Sequence, residues 1–397
     1  VILMYRGIVE GFYGRPYKSY QRNKLLKYLS LHESPAYMYA PKNDPYHRLN
    51  WRLPYSTERW KEIADSIAFA DRNDVRFFFG VSPWGFEDHE YGILRAKLSR
   101  ALKAGAHGAA ILFDDVPDRA DADLAARQIR FAERAAEGLQ TEMILCPSVY
   151  CDELNEKLDG SGYLEVWKEE LPGDTGCFWT GPSVVSESLE GPSLDRAKEL
   201  LGSRPVVWDN LLADDYAQRR IYLAGLEERI PDCHYFLNPS ELFPVALYSL
   251  RSMLLSAGTS CPWPGELGET EEYWHLLSEF HHLPWQPGKM ADLLFEELRR
   301  AMAGEEVEGL KRRLASITRS LSIFTDELES VDEGSAVMPY VRDVAKMVGW
   351  WREILMLPSR SERESRLQYL MFQRLPYDHP MALVTAGLAQ KKERGAE

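Results

Sequence analysis

Asp114 and Asp115 stand side by side where an apolar run, Ala109–Phe113, comes to its end. That run reads as a buried strand. Adjacent carboxylates repel, and burying either is costly unless it is paired or protonated. A chain that places them at the mouth of a core strand is expected to use them together. On Leu112-Phe113-Asp114-Asp115-Val116 alone, a plain turn is an equal alternative, because Asp is common after strands. The other strand-like runs are followed by further polar and aromatic residues. Glu10-Gly11-Phe12-Tyr13-Gly14-Arg15 follows the first, Lys42-Asn43-Asp44 with Tyr46-His47-Arg48 the second, and Trp84 the third. Tyr150, Thr180-Gly181-Pro182, Trp208-Asp209-Asn210 with Asp214-Asp215-Tyr216, and Asn238-Pro239 follow the last four. Carboxylates, amides, hydroxyls, one Lys and two Trp make the inventory of a carbohydrate site. Sugar hydroxyls take bidentate polar contacts, and C–H faces stack on aromatic rings. A phosphate site would want more Arg, Lys and Gly, and neither GxGxxG nor a Walker loop is present.

Short β-rich runs must position these residues. They fall at Met4–Val9, Ala36–Pro41, Val75–Pro83, Ala109–Phe113, Met143–Val149, Cys177–Thr180, Pro205–Trp208 and His234–Leu237. Helical patterns alternate with them at Tyr20–Leu31, Thr57–Arg72, Tyr91–Ala104, Asp123–Leu139, Tyr163–Leu171, Leu194–Leu201, Tyr216–Glu228 and Pro244–Ser256. Eight β-then-α repeats within residues 1–258 predict a (β/α)8 TIM barrel, an α/β fold whose sites sit at the C-terminal strand ends. A doubly wound sheet is the runner-up, but it usually carries fewer strands and a Gly-rich nucleotide turn. From Glu272 on, helical periodicity dominates. Leu310, Leu314, Ile317, Leu321, Phe324 and Leu328 mark one face of a long helix, and Tyr340–Met356 a second helix. The expected domains are therefore a catalytic barrel, 1–258, and an α-helical bundle, 259–397.

The net charge of −14 argues against a nucleic-acid partner. No run approaches a membrane span. Asp114, Asp115 and Asp215 could offer oxygen ligands, but His275, His281 and His282 lack HExxH spacing and fall in the bundle region, so no metal or cofactor is expected. Cys146 precedes Pro147 inside a strand and reads as a core thiol. The five scattered cysteines suit a reducing compartment. With no signal peptide visible, the expected location is cytoplasmic, although the start at Val1 leaves a trimmed N-terminus open.

Side by side, these segments resemble glycoside hydrolase family 84, the O-GlcNAcase family of β-N-acetylglucosaminidases. The resemblance is carried by Arg6-Gly7-Ile8-Val9-Glu10-Gly11-Phe12-Tyr13-Gly14-Arg15-Pro16, Tyr39-Ala40-Pro41-Lys42, Leu112-Phe113-Asp114-Asp115, Cys146-Pro147, Trp179-Thr180-Gly181-Pro182, Trp208-Asp209-Asn210 with Asp215-Tyr216, and Asn238-Pro239. It implies a barrel and, as in some members, a helical domain after it. It implies a retaining exo-β-N-acetylglucosaminidase that releases terminal β-linked GlcNAc, from Ser or Thr of glycoproteins or from another glycoside. The implied chemistry is substrate-assisted, through an oxazoline, one of the exceptions to the two-carboxylate scheme. Asp114 would orient and polarise the acetamido group, and Asp115 would be general acid and then general base. The Gly7 carbonyl, Lys42, Asn210, Asp215 and Asn238 would bind sugar hydroxyls. Tyr150 would lie near the acetamido oxygen, and Thr180 and Trp208 would line the N-acetyl pocket.

Asp209 lies between two of these positions and would point the other way on a strand. Asn43 and Trp84 depart from the family pattern at the rim, where they bear on substrate preference. A hyaluronidase-type activity is the nearest rival, disfavoured by the net negative charge. A GlcNAc-binding pseudoenzyme is the rival of another class, and it would have no reason to keep both aspartates. The apolar helix faces of the last third would form a wall of the substrate cleft or an oligomer contact, hence a homodimer through the C-terminal helices.

Overall fold

The computed structural model describes residues 4–114, 119–189, 191–202, 205–216, 220–227 and 229–371. Eight parallel strands close into a barrel in sequence order. They are β1 (Arg6–Glu10), β2 (Pro35–Tyr39), β3 (Arg76–Val81), β4 (Gly108–Leu112), β5 (Glu142–Cys146), β6 (Gly176–Trp179), β7 (Val206–Asp209) and β8 (Tyr235–Leu237). All eight predicted strands are present, and β1 closes the ring by pairing Arg6 with Tyr235. The helices between them are α1 (Ser19–Leu29), α2 (Thr57–Asp71), α3 (Tyr91–Lys103), α4 (Ala122–Ala136), α5 (Asp152–Lys157), α6 (Ser161–Glu170) and α7 (Gly191–Leu201), with α8 (Phe243–Ser256) after β8. Side-chain caps start two of them. Ser56 Oγ accepts from Arg59 N at 3.2 Å before α2, and Asp121 Oδ1 accepts from Leu124 N at 3.0 Å before α4.

Side chains alternate along each strand, and one phase fills the barrel. Val9, Met38, Phe78, Ala110, Leu112, Ile144, Cys146, Phe178, Trp208 and Phe236 form its buried core. Rings from distant strands meet there: Phe236 lies 6.1 Å from Phe78 and 5.8 Å from Phe178, centroid to centroid. The opposite phase faces the helices. Glu10 is the clearest case, fully buried at the end of β1. Its carboxylate accepts from Tyr17 N at 2.9 Å, Arg22 Nε at 2.9 Å, Arg22 Nη2 at 3.1 Å and the Tyr37 hydroxyl at 2.5 Å. A buried carboxylate is tolerable only when its lone pairs are met in this way. The pair ties α1 to the barrel and folds the segment after β1 back over its strand.

The predicted helix Tyr216–Glu228 is not formed: residues 220–227 carry no helix. Ile221, Tyr222, Leu223 and Ala224 are all buried in succession, which a one-faced amphipathic helix does not allow. The segment runs instead as irregular chain, with Leu223 N donating to His281 O at 2.8 Å.

The chain separates into two compact units. One comprises Val1–Asp215, Gly225–Glu241 and Leu250–Cys261, the other Tyr216–Ala224, Leu242–Ser249 and Pro262–Glu397. The second unit contains α9 (Glu271–Phe280), α10 (Lys289–Met302), α11 (Leu310–Glu329), α12 (Met338–Met356) and α13 (Arg360–Met371). In α11, Leu310, Leu314, Leu321, Phe324 and Leu328 are buried on one face, as their spacing predicts, while Ile317 is only half-buried. Trp274 of α9 stacks on Tyr248 at 5.3 Å and meets Phe324 edge-on at 5.7 Å. Among the described residues no helix is long and apolar enough to cross a membrane.

Candidate active site

The inward phase of each strand continues past its end, and this continuation builds the site. After Met38 and Ala40 comes Lys42, after Ala110 and Leu112 comes Asp114, and after Phe178 comes Thr180. Asn210 follows Trp208, and Asn238 follows Phe236, by the same two-residue step. The step is the pleat of the strand carried one repeat further. Lys42 is buried, and its ammonium forms an ion pair with Asp114 across the mouth from β2 to β4. The same ammonium lies 5.7 Å from the centroid of the Trp208 ring. Burial of such a pair demands good geometry, because both ions lose water.

Three of the predicted residues are linked through amides. Trp208 Nε1 donates to Asn210 Oδ1 at 2.8 Å, and Asn238 Nδ2 donates to the same oxygen at 2.9 Å. Asn210 Nδ2 donates to Val184 O at 2.8 Å, and Gly11 N donates to Asn238 Oδ1 at 3.3 Å. Asp215 is fixed to the segment after β1 by Tyr13 N, which donates to its Oδ2 at 2.7 Å. Tyr150 packs against the barrel core, and its carbonyl accepts from Thr180 N at 2.9 Å. Thr180 Oγ1 donates to Ser183 O at 2.7 Å.

The peptide before Asp114 is held from below. Phe113 O accepts from Ser148 Oγ at 2.7 Å, and Ser148 Oγ accepts from Gln128 Nε2 at 2.9 Å. Tyr163 closes the network, donating to Gln128 Oε1 at 2.5 Å and accepting from Ser148 N at 2.8 Å. Asp115 lies outside the described residues.

Gly7 is not brought to this mouth. It is the second residue of β1, in register with Ala36 and Phe236, three residues before the strand ends. A side chain there would collide with the Ala36 carbonyl and come within 3.0 Å of the Phe236 ring, so its glycine serves strand packing. Gly11 is the glycine that reaches the mouth, against Asn238 and Trp208, and the sequence reading carried it only as part of the segment after the first strand. A Cβ on Gly11 would lie 2.6 Å from Trp208 Cη2. Gly11→Ala is expected to push the indole aside and destabilise the fold by about 1–3 kcal/mol, the usual range for overpacking. Denaturant unfolding measures this, and an unchanged midpoint would show that the indole has room to move.

Asp209 points away, as expected from its phase. It pairs with Arg229 at 2.7 Å and accepts from the Tyr235 hydroxyl at 2.7 Å. His47 is buried with Nδ1 3.0 Å from Gly80 O, and burial pushes it down to about 3, so it stays neutral and serves no proton transfer near neutrality. Among the described residues no cluster of three His, Cys, Asp or Glu side chains could hold a metal ion. The five cysteines are free and buried.

Asp214, beside Asp215, is buried and accepts from the Ser240 hydroxyl at 2.5 Å and from Glu241 N at 3.3 Å. Burial raises it to about 6, with the charges of Glu241 and Asp215 adding to the rise. A carboxyl raised in the native state favours folding in its neutral form. That benefit is full below the unfolded value near ~4 and is lost as pH rises through the native one. Asp214→Asn should therefore gain about 2–3 kcal/mol on the wild type between roughly pH 4 and 7. Denaturant unfolding at both pH values measures this, and parallel curves would reject it.

An eight-stranded parallel barrel with an acidic, amide-rich and Trp-lined mouth is the architecture of a glycoside hydrolase. A family model described as beta-N-acetylglucosaminidase matches residues 6–250. The chain belongs to this family, glycoside hydrolase family 84. Protein O-GlcNAcase of Rattus norvegicus and that of Mus musculus are each 32% identical to it over 238 residues. The match covers 56% of this chain and 26% of each relative, so the chain spans about a quarter of their length. A solved O-GlcNAc hydrolase variant of Thermobaculum terrenum superposes with a TM-score of 0.80 at 22% identity. That likeness covers 99% of this chain and 95% of the other, and it shows the fold.

Proposed function

We propose that the chain is a retaining exo-β-N-acetylglucosaminidase that removes terminal β-linked GlcNAc, including GlcNAc on Ser or Thr of glycoproteins, through substrate assistance. The observation that carries this reading is the placement of Asp114, paired with Lys42, beside the Trp208–Asn210–Asn238 network on the inward face of the mouth. In this reading Asp114 accepts a hydrogen bond from the acetamido N–H, which raises the electron density on the amide oxygen. That oxygen attacks C1 while Asp115 gives its proton to the departing glycosidic oxygen. The bond from C1 to the glycosidic oxygen breaks and a protonated oxazoline forms, its N–H still held by the Asp114 carboxylate. Asp115 then takes a proton from water as the water attacks C1, the ring C1–O bond of the oxazoline breaks to give back the acetamido group, and the β-configuration is restored. Lys42, an ammonium with three donors beside Asp114, belongs to the polar set that would meet the sugar hydroxyls. Asn210, Asp215 and Asn238 supply further polar groups, and Trp208 walls the acetamido pocket.

Hydrolysis of 4-methylumbelliferyl β-GlcNAc, with the product anomer followed by NMR, tests the proposal. β-GlcNAc should appear first, and the N-trifluoroacetyl analogue should react more slowly because fluorine weakens the attacking oxygen. An α-anomer, or binding without turnover, would overturn it. A cytoplasmic location belongs to the same reading and is supported by the free buried thiols. So does a homodimer through the C-terminal helices, supported by exposed Leu293, Ile323 and Met356 on α10, α11 and α12. A monomer in sedimentation at micromolar concentration would exclude the dimer.

A further inference from the structure

Trp84 is a large aromatic side chain left 45% exposed at the end of β3, yet its backbone is held in place. Its carbonyl accepts from Trp51 Nε1 at 3.0 Å and from Arg52 Nη1 at 3.3 Å. Arg52 Nη2 also donates to Gly85 O at 2.6 Å, and the Arg52 guanidinium is locked on Glu90 at 2.5 Å. The carbonyls of Trp84 and Gly85 are thus held while the indole itself stays open to solvent. One side of the ring is covered by the Arg48 guanidinium, 4.6 Å from its centroid. Arg48 also lies 5.6 Å from the Tyr13 ring, so it bridges the segments after β1 and β3. Trp84 lines a cavity of about 330 Å³ together with Phe86, Phe113, Asp114, Arg127 and Gln128, so the indole and Asp114 border one space.

We infer that Trp84 and Arg48 form the platform for the leaving group, and that this group is a second sugar ring. The chain then also releases terminal GlcNAc from glycan ends. This rests on the glycosidase reading above. A pyranose presents a flat face of C–H bonds to an indole, and here the exposed indole is backed on one side by the Arg48 guanidinium. A Ser or Thr in a peptide offers no ring to stack. The reaction stays hydrolytic and balanced. The bond from C1 of GlcNAc to the bridging oxygen breaks, the leaving sugar keeps that oxygen and takes a proton, and water supplies the new oxygen on C1.

Steady-state kinetics on three substrates test the inference with the full chain: a β-1,4-linked GlcNAc disaccharide, methyl β-GlcNAc and a GlcNAc-Ser peptide. Trp84→Ala should lower kcat/KM on the disaccharide about tenfold more than on the methyl glycoside, the scale at which a Trp anchor is felt. Trp84→Phe should recover most of that difference. Equal losses on all three substrates would reduce Trp84 to a loop support. The largest loss on the glycopeptide would assign the platform to a peptide and overturn the inference. A wild type that cleaves the other two but spares the disaccharide would also sink it. A wild type inactive on every one of them would bring down the glycosidase reading and this one with it.

Discussion

Asp114→Ala is expected to slow hydrolysis of dinitrophenyl and alkyl β-GlcNAc glycosides by similar factors, on the order of 10²–10³. The reasoning starts from where the charge develops. In a substrate-assisted step the acetamido group becomes cationic in every glycosylation transition state, whatever leaves. A carboxylate hydrogen-bonded to that group stabilises it through a charge-assisted bond, plausibly worth about 2–4 kcal/mol in the transition state. The structure supplies the means to hold it. Phe113 O is fixed by Ser148, Gln128 and Tyr163, and the Asp114 carboxylate itself is met by Lys42. Little reorganisation remains for the moment of reaction. Pre-steady-state kinetics with both leaving groups would measure the effect. If Asp114→Ala instead trapped a covalent glycosyl-enzyme, and acyl fluorination left the rate unmoved, a protein nucleophile would be at work.

The Asp115→Asn variant should show the opposite dependence. A general acid matters only as much as its leaving group needs a proton. Hydrolysis of a Ser glycoside should fall by roughly 10²–10⁴, whereas the dinitrophenyl glycoside, whose phenolate leaves unaided, should lose far less. The basic limb of the pH profile on the Ser glycoside should vanish with the acid. Equal losses on the two substrates would contradict the assignment. Measured together, the two variants separate positioning from proton transfer, because one is blind to the leaving group and the other is governed by it.

The fold was legible because its strands are written as short apolar runs closed by polar or small residues. The helices were legible wherever one face is apolar. The reading failed at residues 220–227 because the apolar residues there are contiguous, and contiguity serves an irregular buried segment as well as a helix. The site was legible in its polar residues but not in its glycine. Gly7 and Gly11 share the inward phase, and only the closeness of Trp208 to one and of Phe236 to the other separates their tasks. The pairing of Glu10 away from the mouth was hidden for a related reason. Nothing in the spacing shows that Arg22, on a helix of mixed polarity, turns fully inward to meet it. Partners chosen across space leave little trace along the chain.

Because Lys42, Asp114, Thr180, Asn210 and Asn238 reach the mouth by carrying the inward phase one step beyond the barrel core, the fold acts as a reading frame for side chains. A substitution at such a position exchanges one chemistry for another and leaves every ladder bond in place. Inserting or deleting a single residue between Leu112 and Asp114 would do the reverse. It would keep the composition yet rotate the carboxylate out of the mouth, since a slip of one reverses facing. Divergence of such a barrel is thus channelled into point changes at phase-matched positions and into length changes downstream of them. Two-residue insertions at a strand end are the exception, because they preserve the frame and lift the functional group one storey higher.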